Sequence, residues 1–159
     1  MRLKPPPARS ITNPVQTALL LESIPRDVVI ESEQISVWCY PKLGIVHHEM
    51  HGVCHGEPFR QALLAGQRAL RQSGATGWLS DDRRNGPLPD ADETWGTTIW
   101  FPQTRAAGWR FWAMVMPERA VGKLNVKRFV ELYRQRGIEA RMFVEPAPAL
   151  AWLQEQTGA

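Results

Sequence analysis

The chain has 159 residues, 43% of them hydrophobic, with seven tryptophans and two cysteines, enough to build one domain with its own core and too apolar to stay disordered. Its formal charge of +3 comes from Arg2, Lys4 and Arg9 at the start, which leaves 16 basic against 16 acidic side chains elsewhere. A basic tail on a balanced body does not make a nucleic-acid surface, so no nucleic-acid partner is expected.

Cys39 and Cys54 are too few for a disulfide framework or a paired-cysteine metal knuckle. No apolar run reaches the roughly 18 residues of a membrane-spanning helix, and the opening MRLKPPPARS lacks the apolar stretch of a secretory signal. The expected setting is cytoplasmic and reducing, with no membrane contact.

In chain order, residues 1–26 form an N-terminal extension. Pro5-Pro6-Pro7 favours polyproline geometry, residues 15–24 could form a short helix, and Pro25 stops it. The folded domain is expected over residues 27–157. Val28-Val29-Ile30 is a short lead-in strand. Ile35–Tyr40 and Ile45–Met50 are rich in β-branched and aromatic residues and flank the turn Pro41-Lys42-Leu43-Gly44, which predicts a hairpin.

From Gly56 to Gly74, Phe59, Leu63, Gly66 and Leu70 recur at helical spacing, with Pro58 in the first turn and Gly74 at the stop. A strand at Trp78-Leu79 runs into the polar loop Ser80–Asn85. Asp90-Ala91-Asp92-Glu93 carries the N-cap of a helix toward Gly108, with Pro102 expected to end or kink it. Residues 109–116 turn wholly apolar, as a buried central strand does. Asn125 is expected to cap a helix whose Val126, Phe129, Val130 and Tyr133 form its apolar stripe. An edge-like strand over 138–144 and a last short helix from Pro146 close the chain. The order, a β-hairpin followed by α-β-α-β-α-β-α, predicts an α/β fold of about five strands in a mainly parallel sheet, covered by about four helices.

Particular residues add a likeness. Trp78–Asn85 after a strand, Trp95 with Trp100-Phe101-Pro102, Ala107-Gly108-Trp109, Val115-Met116-Pro117-Glu118 and Ala149–Leu153 together resemble the small STAS-domain proteins, the SpoIIAA-like group related to anti-anti-sigma factors. The likeness spans about residues 27–155. It implies a non-catalytic regulatory or interaction module binding a protein partner or small ligand. The phosphorylatable serine motif of the regulatory members is absent: Ser80 is followed by Asp81-Asp82, where a phosphate would be repelled.

In open α/β sheets, ligands are met beyond the carboxyl ends of the strands. The candidate binding residues are therefore Ser80, Asp81, Asp82, Arg84, Asn85 and Trp95, with Asp82–Arg84 as the expected ion pair. No catalytic motif is present and no cofactor is expected. The four histidines fall between residues 47 and 55. On a strand His47, Glu49 and His51 share one face, in steps of about 7 Å, and read as a solvent-facing polar stripe. The alternative is a metal site using His51, Cys54 and His55. A further alternative is a carrier of a small hydrophobic, lipid-type ligand within the Trp- and Met-rich interior. The apolar residues at 15–24 predict a homodimer to which that segment contributes.

Overall fold

The computed structural model describes residues 22–117 and 120–158. The expected extension and dimer-forming segment lie outside these residues as far as position 21.

Six strands form one sheet in the order of the sequence: β1 (Asp27–Glu31), β2 (Ile35–Tyr40), β3 (Ile45–Met50), β4 (Gly77–Asp81), β5 (Phe111–Val115) and β6 (Glu139–Phe143). The first three pair antiparallel and the last four parallel, β3 belonging to both sets. The fold is thus the expected α/β arrangement, and the lead-in strand joins the sheet as β1.

Parallel neighbours need crossovers, and successive right-handed crossovers in one direction put their helices on one face. These are α1 (Glu57–Ser73), a composite helix of α2 (Asp90–Trp95), a π-helical turn (Gly96–Trp100) and α3 (Phe101–Ala106), and α4 (Ala120–Gln135). They pack on Val37, Val46, Trp78, Trp112 and Met114 to form the larger core. The terminal helix α5 (Pro146–Thr157) covers the other face, burying Leu150, Trp152 and Leu153 on Leu79, Ala113 and Val115.

The expected α1 stripe is buried at Phe59, Leu63 and Leu70. Gly74 ends the helix with φ 71°, a left-handed conformation that costs glycine nothing. Gly66 lies on the same stripe for a different reason. A β-carbon there would sit 2.5 Å from Trp78 Cη2, so the helix reaches the sheet only where it has no side chain.

Three local expectations change. Asp90 is not the N-cap. Pro89 occupies that position without a side-chain hydrogen bond, and the nearby Asp92 carboxylate turns instead to the Gly56 amide and Arg60. Pro102 does not end the helix, which continues to Ala106. The preceding turn widens to π geometry, so Pro102 stands in the first turn of α3, where its missing N–H is not needed. Asn125 caps nothing, because α4 already runs from Ala120, through residues such as Ala120, Lys123 and Leu124 that favour the helical state.

Candidate functional site

The peptide from Ser80 to Arg83 straddles the carboxyl edge of the sheet. Side chains alternate, so Ser80 and Asp82 meet the face covered by three helices, while Asp81 and Arg83 meet the face covered by α5. Two separate polar clusters result.

On the first face, the register of β3 and β4 sets His48 beside Ser80. The indole N–H of Trp78 donates to His48 Nδ1 at 3.0 Å, and His48 Nε2 lies 2.7 Å from Asp82 Oδ1. Indole can only donate, so Nδ1 must accept and the ring hydrogen sits on Nε2, donated to Asp82. Ser80 Oγ accepts a hydrogen bond from the Trp112 indole at 2.9 Å. Ser80, His48 and Asp82 are thus the residue types of a nucleophilic triad, gathered in one place but wired otherwise. A triad imidazole offers a nitrogen to the hydroxyl, whereas here Trp78 and Asp82 hold both.

Beside this cluster lies a cleft of about 100 Å³, lined by Trp100, Trp109, Trp112, Met114, Phe129 and Tyr133. Burial pushes the Tyr133 phenol up to about 12, so it stays protonated as a polar point in an aromatic wall. Asn85 is 7% exposed, and its Oδ1 accepts the amides of Cys54 and Gly86, which fixes the loop over the cleft. Asp92 was not singled out by the sequence. It is 2% exposed and ties the loop to α1 through Gly56 N at 2.7 Å and Arg60 Nε at 2.8 Å. Burial opposes its charge, but these two donors outweigh burial and hold its carboxyl below the ordinary value.

The expected binding set therefore divides. Ser80, Asp82 and Asn85 line the cleft. Asp81 belongs to the other face, and Arg84 is exposed. The expected pair Asp82–Arg84 is replaced by Asp82 with His48 and by Asp81 with Arg83, whose Nε and Nη2 donate to its two oxygens at 2.9 and 2.8 Å. Trp95 packs edge-on against Phe59, with Arg60 over its ring at 5.5 Å, and does not line the cleft. Trp100, the buried partner on the same helix, does.

On the second face, the expected solvent-facing stripe is not solvated at His47. That residue is 4% exposed, flanked by Trp38 and Tyr40, and neither of its nitrogens has a hydrogen-bond partner among the described residues. Burial drives its pKa down to about 3 despite the attraction of Asp81, so it is neutral. Glu49 lies two residues on, and the parallel register brings Asp81 directly beside Glu49. The ligand atoms of His47, Glu49 and Asp81 all lie within 4.8 Å of one another.

His51, Cys54 and His55 form no such group among the described residues. His51 Nε2 is 2.7 Å from Ser36 Oγ, Cys54 is buried in the helix-covered core with its thiol pKa raised by burial, and His55 is exposed. The bend after Met50 separates the three. The sequence places His47 and Glu49 on one face, but the third member comes from the next strand, through a register that local pattern does not encode.

No family model, curated protein or solved structure matches the chain.

Proposed function

We propose that the chain is a non-catalytic binding module of STAS-like layout, which takes a small, flat and mainly apolar ligand with one polar group into the cleft beside the loop 82–89 and the start of α2. The observation that carries this reading is the cleft itself, a wall of aromatic rings ending in Ser80, Asp82 and the Tyr133 hydroxyl. Apolar lining with a few fixed polar groups is the usual make-up of a small-molecule site. The position supports it too, since the cleft opens beyond the carboxyl end of β4, where sheets of this kind meet their ligands.

Size selects the ligand. A volume of about 100 Å³ suits a single ring, whereas a lipid needs several hundred cubic ångströms. The hydrogen bonding of Ser80 and His48 supports binding over reaction, because neither group is poised to move a proton to the other.

Three tryptophans line the cleft, so occupation should be visible in intrinsic fluorescence. Phenol, indole and benzamide, titrated into the full chain, are expected to quench it saturably, at least one of them below millimolar concentration. Val126→Phe, which places a ring in the same space, should abolish the response while the melting temperature stays within a few degrees. No saturable quenching, or quenching that survives Val126→Phe, would refute the cleft as the site.

A further inference from the structure

We infer that His47, Glu49 and Asp81 form a binding site for a divalent first-row transition-metal ion, on the sheet face opposite the aromatic cleft. The backbone builds the arrangement. His47 and Glu49 are two apart on β3 and so project the same way, and Asp81 stands beside Glu49 on β4, about 4.8 Å away across the ladder. Their donor atoms already lie within 4.8 Å of one another. Around an ion with bonds of about 2.1 Å, neighbouring ligand atoms sit roughly 3.4 Å apart in tetrahedral geometry. Small side-chain rotations therefore close the set, and Glu49 is partly exposed and can move.

The independent observation is His47. Its side chain is buried with both nitrogens unpartnered among the described residues, which a protein interior rarely tolerates. An imidazole set beside two carboxylates without bonding either is arranged as a metal ligand is.

The surroundings favour a cation. The cleft that opens over the three residues measures about 460 Å³, and its lining includes five acids, Glu22, Glu31, Glu49, Asp81 and Glu145, against two arginines, Arg26 and Arg83. Arg83 grips both Asp81 oxygens, its backbone amide adds a second contact to Oδ1 at 3.4 Å, and Oδ2 keeps a lone pair for an ion. Such a contact fixes a ligating carboxylate from behind. The donors also indicate the type of ion. One imidazole and two carboxylates suit zinc, manganese or ferrous iron, while a copper(I)-type site would call for thiolates. Cys39 and Cys54 both lie in the core on the other face. Three protein ligands leave at least one coordination position open toward the cleft, for water or a small anion.

The test is isothermal titration of the full-length, tag-free protein, stripped with chelator, with Zn²⁺ and separately with Mn²⁺ near neutral pH. One equivalent of at least one ion should bind, with a rise in melting temperature. Glu49→Gln and His47→Gln should each weaken binding about tenfold or more, while His55→Gln should leave it unchanged. Glu49→Gln changes a partly exposed side chain, so it keeps the test decisive if the buried His47 variant fails to fold. Absence of binding of both ions, or binding that Glu49→Gln leaves intact, would overturn the inference. Neither result bears on the aromatic cleft, whose fluorescence test requires no metal.

Discussion

His47 and His48 are consecutive residues on β3, yet among the described residues both ring nitrogens of His48 are hydrogen-bonded and neither nitrogen of His47 is. The strand's twofold alternation sends them to opposite faces. On one face the Trp78 indole and the Asp82 carboxylate meet the ring. On the other, the ring meets a tilted Trp38 and a near-parallel Tyr40, and the two nearby carboxylates stand off. The same side chain is therefore a structural cross-link in one environment and lacks a hydrogen-bond partner among the described residues in the other.

The His48 cross-link should be measurable. Trp78→Phe keeps most of the packing but removes the indole N–H, leaving Nδ1 of a buried imidazole without a donor. The expected loss is about 1–3 kcal/mol in urea unfolding, the usual penalty for stranding a buried polar atom. Equal stability of variant and wild type would show that the indole does not hold the ring.

Gly66 sets how closely α1 approaches the sheet. Gly66→Ala should destabilise the fold despite alanine's better helix propensity, because the new methyl would lie 2.5 Å from Trp78 Cη2, inside a fully buried ring. Overpacking of this kind costs about 1–3 kcal/mol. A thermal unfolding curve unchanged or shifted upward would contradict the close contact.

His47 should make the metal-free protein acid-sensitive. Its folded pKa of about 3 lies below the ordinary value of 6.5, so between those values the unfolded chain binds more protons than the folded one. Stability must then fall as pH falls, beginning below about 6.5, with a slope from this group approaching about 1.4 kcal/mol per pH unit. His47→Gln should flatten the wild-type dependence between pH 6 and pH 4.5, a range in which carboxylate effects are shared by both proteins. Parallel curves for the two would exclude a neutral, buried His47.

The sequence by itself determined the elements and their order. The β-branched and aromatic runs at Ile35–Tyr40 and Ile45–Met50, the 3.6-residue stripes of α1 and α4, and the wholly apolar β5 are local patterns. They carry the hairpin, the crossovers and the α/β class in the side chains themselves. It also located the polar loop at the carboxyl end of β4, because an apolar strand followed by Ser80–Asn85 is visible as a change of composition.

Tertiary structure alone decided how that loop is divided and what it meets. Asp81 reaches His47 and Glu49 only through the β3–β4 register, and Asp82 reaches His48 only because the same register turns both toward the helices. Asp92 becomes a tie between the loop and α1 only because α1 brings Gly56 and Arg60 within reach. Opposite charges close in sequence suggest mutual pairing, as with Asp82 and Arg84. Folding instead paired Asp82 with His48 of β3 on the helix-covered face and Asp81 with Arg83 on the other, because side-chain alternation sends the two neighbouring acids to opposite faces.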